Sequence, residues 1–254
     1  MNFKRKLRKK YSFVMPSLPD ERDRIYVAGS TTPIVESSLR EYRGGILNQG
    51  SWGSCTGHGT AGMLHSTYKR ITGINIDFNP FWIWYWARRS NGWEKNNTGA
   101  YPRDVFKNLI SRGVCENPTW SPTNYSEAPP KLPDSDLIKF KSYHRIHIDK
   151  DNFDNTKNDF AYCIAVEQLP IGITMAVHAS FETYTSETGS LLTPNINDPI
   201  VGYHWVYVDG VDEEGITVVN SWGENWGDSG TFQMPWDYVR KYVVEAWSLD
   251  PSLP

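Results

Sequence analysis

Cysteine is scarce in this chain: three residues in 254, at positions 55, 115 and 163. An odd, low count without a secretory leader argues against a disulfide framework and for a reducing, cytoplasmic compartment. No CxxC pair or Cys/His spacing suggests zinc, so no metal and no cofactor is expected. Long apolar runs are also lacking. Met1–Lys10, MNFKRKLRKK, holds six Lys or Arg, but Pro16 and Pro19 interrupt the YSFVMPSLPD that follows. That falls short of the ~7–15 apolar residues of a signal peptide. Nothing approaches the ~20 of a membrane helix, and no membrane partner is expected. No sign of charge dominates either. A net charge of −3 leaves no domain-wide footprint for nucleic acid, and no specific site for it is evident. The basic tail reads as a solvated terminus or as a dock for an anionic partner.

What the chain does have is length and aromatics. It can bury a sizeable core as one large domain or two lobes sharing an interface. Eleven tryptophans must mostly fill core or cleft walls. There is no internal repeat. From Ser54, a plausible N-cap, Ala61, Leu64, Tyr68 and Ile71 recur at helical spacing up to Gly73. NPFWIWYWARRS sets Pro80 in a first turn and is apolar nearly all round, which favours a buried helix over an aromatic binding platform. YPRDVFKNLISRGV predicts a third helix with Val105, Phe106, Leu109 and Ile110 inward and Gly113 as its stop. A Pro/Ser/Thr-rich connector over 117–133 follows. Strands are predicted around 140–148, 171–177, 204–211, 216–220 and 230–234, with one helix near 159–168. Helices first and strands later is an α+β pattern. The expected organisation is a basic tail and surface arm over 1–45, a helical lobe over 46–133 and a β-rich lobe over 134–254.

One cysteine stands apart. In LNQGSWGSCTGHG, Cys55 sits among small residues where the first helix should begin. A cysteine is a nucleophile as thiolate, and a helix N-terminus and a nearby imidazolium both favour that anion. Small neighbours leave room for a substrate carbonyl. The Cys55 backbone N–H would be an unsatisfied donor aimed at a developing oxyanion, and the Gln49 side-chain amide could add a second. A base must come from elsewhere. VGYHWVYVDGV places His204 in an apolar strand, and VVNSWGENWGDSG ends another strand with Asn220. An amide oxygen there can accept from the imidazole N–H and fix its tautomer, with Trp222 screening that bond from water.

NQGSWGSC, HWVYVDGV and NSWGENWGDSGTF together resemble the papain-like cysteine peptidases, most closely their prokaryotic and phage-encoded branch. His204 follows Cys55 by about 150 residues, the spacing usual in that family, and Asn220 lies slightly beyond it. The resemblance runs from about Gly45 to Ser248. It implies a two-lobed α+β fold, a helical left lobe and an antiparallel β-barrel-like right lobe, with the site in the cleft between. On matching positions Cys55 is nucleophile, His204 base, Asn220 orienter and Gln49 oxyanion donor. The reaction implied is hydrolysis of a peptide or protein substrate through a thioester acyl-enzyme. GAYPRDVFKNLISRGVC resembles one wall of the family's cleft, so Gly99, Ala100, Tyr101 and Pro102, together with Trp222, are expected to meet substrate. Trp205, opposite them, is expected to narrow or cap a side-chain pocket.

Several features depart from the family. Trp52 stands where many relatives have a disulfide cysteine, and Thr56 replaces an aromatic. Only 54 residues precede Cys55, so control by removal of a long prosegment is not expected. These departures sustain an alternative: a catalytically silent papain-like fold that binds within a larger assembly. Transfer of the acyl group to an amine would use the same residues. His58 lies one turn beyond Cys55 and should point into the core, in a structural role. His144 and His147 fall on opposite faces of a strand, which argues against a metal pair. Cys115 and Cys163 read as core thiols, and the sequence leaves the place of His178 open.

Overall fold

Ser54 and Gly73 bound the first helix, α1 (Cys55–Thr72), in the computed structural model, which describes residues 14–195 and 197–250, with backbone alone for 182–184. The basic tail Met1–Lys10 lies outside the described residues. Asn79 caps α2 (Pro80–Arg89) by accepting from Trp82 N–H at 3.0 Å, with Pro80 in the first turn. α3 (Pro102–Ser111) also opens on a proline, and Gly113 N–H closes its end on the Asn108 carbonyl at 3.0 Å. These three helices match the predicted ones closely. α1 lies unusually near its neighbours because of its glycines. A Cβ on Gly57 would stand 2.1 Å from the Pro80 carbonyl of α2, and one on Gly59 would stand 2.9 Å from the Trp205 indole.

Among the described residues the other main elements are a sheet and three short α-helices. The strands are β1 (Ser37–Ser38), β2 (Tyr143–Ile146), β3 (Ile171–His178), β4 (Ile200–Val211), β5 (Gly215–Val219), β6 (Thr231–Pro235) and β7 (Val243–Leu249). They pair antiparallel in the order β2-β7-β3-β4-β5-β6, with β1 on β4, and the sheet stays open between β2 and β6. α4 (Phe153–Ala161) begins earlier than the predicted helix and runs on as a π-helical turn, Tyr162–Val166. α5 (Phe181–Thr188) and α6 (Trp236–Tyr242) had no sequence counterpart.

The sheet separates two cores. Alternation along β4 sends Trp205 and Tyr207 to the core shared with α1, α2 and α3, and Val206 and Val208 to the other. An arm before α1 crosses both parts. The Ser17 hydroxyl accepts from Arg103 N–H in α3 at 3.1 Å, while Ser17 N–H donates to the buried Glu245 carboxylate of β7 at 3.1 Å. Asp23 pairs with Arg103 and Arg145. Farther on, Arg43 grips the fully buried Asp209 of β4 through two bonds of 2.6 and 3.0 Å. Breaking one side of such a pair would cost about 3–5 kcal/mol, because the other charge would stay buried alone. No helix of the described residues is long and apolar enough to cross a membrane.

Candidate active site

Three chain segments meet at the start of α1. The 47–49 segment docks on the loop after β5: Gln49 N–H donates to the Ser221 carbonyl at 2.9 Å and Gly223 N–H to the Leu47 carbonyl at 3.0 Å. β4 runs alongside, and the backbone N–H of Trp205 lies close enough to the Cys55 thiol to favour its anion. The nucleophile candidate is thus placed beside the strand that carries His204.

His204 is fully buried, and its Nε2 lies 2.8 Å from Asn220 Oδ1. An amide oxygen only accepts, so Nε2 carries the proton and Nδ1 is the basic nitrogen. The Trp222 ring stacks on the imidazole at 4.8 Å and 27°. Asn220 Oδ1 also accepts from Ser221 N–H at 2.8 Å, and the Ser221 hydroxyl donates to Gln49 Oε1 at 2.7 Å. Gln49 Nε2 spends one hydrogen on the Trp52 carbonyl at 2.9 Å and keeps the second. Bonds thus link Gln49, Asn220 and His204, and Cys55 lies against the backbone of Trp205, the residue after His204. Ser221, which the sequence reading overlooked, links two of them. Its adjacency to Asn220 was the only signal.

Cys55 is 1% exposed, and burial pushes it up to about 11, against the pull of the Trp205, Thr56 and Cys55 N–H groups. Burial of the thiol works against the anion that these N–H groups favour. Cys55 is the first residue of α1, so its own N–H has no intrahelical acceptor.

Trp205 requires a correction. It is fully buried, donates from Nε1 to Thr60 Oγ1 at 3.1 Å and meets Phe106 edge-on at 6.1 Å. The pleat that turns His204 toward Asn220 turns the next side chain to the opposite face, into the core against α1 and Gly172. Its side chain is enclosed by the core on all sides among the described residues. On the other side, Gly99, Ala100 and Pro102 are buried and Tyr101 is half-buried at the head of α3, against Trp93. Ala100 shares its buried cluster with Val14 of the arm.

The remaining candidates are structural. His58 donates from Nδ1 to the Ser54 carbonyl at 3.0 Å against the edge of Phe81, and burial lowers it to about 4. His178 bonds the Tyr238 hydroxyl at 2.9 Å and packs on Tyr242. Cys115 and Cys163 are buried free thiols, pushed up to about 11 and about 12 by that burial. Among the described residues no three His, Cys, Asp or Glu side chains gather as a metal would require.

Comparison with known proteins gives a consistent result. The profile of the papain family cysteine proteases matches residues 38–246. An uncharacterized peptidase C1-like protein of Acanthamoeba polyphaga mimivirus is 27% identical over 76% of this chain and 65% of its own length. Pro-cathepsin H of Medicago truncatula is 26% identical over 74% of this chain and 53% of its own. The chain thus spans between half and two-thirds of these curated relatives. Among solved structures, xylellain, a cysteine protease from Xylella fastidiosa, superposes with a TM-score of 0.82 at 25% identity, covering 95% of this chain and 96% of that one.

Proposed function

Because the chain belongs to the papain family of cysteine proteases, we propose that it is a cysteine peptidase that cleaves peptide bonds through a thioester on Cys55. The observation that carries this reading is the unbroken chain of contacts from His204 through Asn220 and Ser221 to Gln49, assembled beside Cys55. Nδ1 of His204 takes the thiol proton as Sγ attacks the scissile carbonyl carbon. The carbonyl π pair moves to oxygen, where the Cys55 N–H and the second Nε2 hydrogen of Gln49 receive it. Collapse breaks the C–N bond, and the imidazolium protonates the leaving amine. Water then attacks the thioester with the same imidazole as base, releasing acid and thiol.

Peptides or proteins are the substrates that family membership supports. The six basic residues of Met1–Lys10 fit docking to an anionic partner, and three free thiols fit a reducing cytoplasm. A second reading, a fold kept for binding without turnover, draws on two observations. The arm is bonded to α3 and β7 through Ser17, and Cys55 is buried. Mass spectrometry after incubation with an epoxide peptidase inhibitor, beside an assay of peptide hydrolysis, separates the two. A single adduct on Cys55 together with turnover, both lost in Cys55→Ala, is expected. An adduct with no turnover of any peptide would favour the binding reading, and no adduct on Cys55 would remove it as nucleophile.

A further inference from the structure

The loop that ends on Cys55 has no covalent brace, since Cys55, Cys115 and Cys163 are all free. Its brace is an amide. Asn97 Oδ1 accepts from Gly53 N–H at 2.8 Å, and Asn97 Nδ2 reaches the Ser51 carbonyl at 3.4 Å. The Gly53 N–H and the Trp52 C=O belong to one peptide unit, which is planar and trans, so the two groups point in opposite directions. Asn97 holds one end of that unit, and the other end holds Gln49 Nε2 at 2.9 Å. Turning this peptide would aim the Gln49 amide elsewhere.

Asn97 is itself held. The Thr98 carbonyl accepts from Trp84 Nε1 at 2.8 Å, and the Asn96 carbonyl accepts from Arg88 Nη1. Arg88 is fully buried, lies 3.3 Å over the Trp84 ring, and is lowered to about 10 by that burial. It also donates to the Glu94 and Tyr125 carbonyls. A desolvated guanidinium spent on neutral carbonyls is costly, and what it fixes is the segment that presents Asn97.

We infer that Asn97 is a positioning residue for the oxyanion side of the site, acting through the Trp52–Gly53 peptide on Gln49. The inference rests on the peptidase reading above. With Ser221 fixing Gln49 Oε1 and the Trp52 carbonyl fixing one Nε2 hydrogen, the remaining hydrogen has a set direction, and Asn97 maintains it.

The test compares two reactions of the same thiol. A peptide aldehyde adds to Cys55 as a hemithioacetal: the Sγ–C bond forms, the C=O π pair moves to oxygen, and that oxygen takes the proton. Iodoacetamide alkylates by displacing iodide at a saturated carbon and builds no such oxygen. Asn97→Ala should lower kcat for peptides and aldehyde affinity alike, by about tenfold, a fraction of the roughly 10²–10³ lost with an oxyanion-hole donor. KM and the alkylation rate should hold. Asn97→Asp keeps an acceptor for Gly53 N–H and should recover most of the loss. Gln49→Ala with Asn97→Ala should be no worse than Gln49→Ala alone. Equal losses in alkylation and aldehyde affinity, or additivity of the two variants, would overturn the inference, as would an Asn97→Ala variant as active as wild type. If wild type captures the aldehyde yet turns over no peptide, the peptidase reading falls, while the aldehyde-to-alkylation ratio still decides the role of Asn97. A wild type that captures neither reagent would sink both.

Discussion

Replacing Trp205 with alanine should be a stability mutation and leave substrate choice alone. The indole is fully buried between α1 and β3, in contact range of Gly59 and Gly172, and its Nε1 bonds Thr60. Both glycines leave space that the ring fills, so little can move in after it is gone. Loss of a buried tryptophan costs about 3–5 kcal/mol, part lost transfer energy and part cavity. The rigid contact of α1 with β4 favours the upper half of that range. For a chain of this size each kcal/mol lowers Tm by about 2–4 °C, so a fall of roughly 10 °C or more is expected. Trp205→Phe should fall less, losing the hydrogen bond and part of the volume. The assay pairs thermal unfolding with a peptide library in which each position near the scissile bond is varied. An unchanged Tm with a shifted side-chain preference would refute the reasoning, because it would put the indole in the cleft.

Asn220→Ala should reduce kcat by roughly 10²-fold while Cys55 stays in place, since the imidazole loses the partner that fixes its tautomer; unaltered kcat would show that Trp222 alone orients it. His58 has a folded value of about 4 against an ordinary 6.5, so the unfolded chain binds more protons between those values. Stability from this group is present above pH 6.5 and is lost as pH falls toward 4, by roughly 3 kcal/mol. Thermal unfolding of His58→Asn should therefore be flatter across that window than wild type, and parallel curves would contradict it. Thiol titration of the unreduced, denatured protein should count three free cysteines, and a count of one would reveal a disulfide.

The helical part of this fold was readable because its signals are local. Asn79 with Pro80, and Gly73 and Gly113, punctuate helices whose apolar faces follow from spacing. β7 was not readable. VVEAWSL lies between β2 and β3 with nearly every residue buried, so it shows no alternation, and Glu245 looks like a break until Thr174 and Ser17 supply its partners. At the site, Gln49, Cys55, His204 and Asn220 could be selected by residue type, because each has a chemical task. Ser221 and Asn97 could not, because they act through partners distant in sequence: 172 positions for Ser221 to Gln49 and 44 for Asn97 to Gly53. Trp205 was misplaced although parity was legible: a strand that turns His204 to the site turns its neighbour away from it.

The same parity limits how the chain can change in length. His204 and Trp205 are neighbours in β4 with opposite destinations, one toward Asn220 and one into the core against α1. One residue inserted between Ile200 and Tyr203, with pairing to β5 kept, would leave both in place and break only the β3 ladder near its existing bulge at Val177. One residue inserted between Trp205 and Val208, with the downstream pairing kept, would turn the indole to the face of Asn220 and the imidazole into the space it left. β4 therefore has a length-tolerant beginning and a length-intolerant middle, and recombination breakpoints or loop grafts in this chain belong before Tyr203.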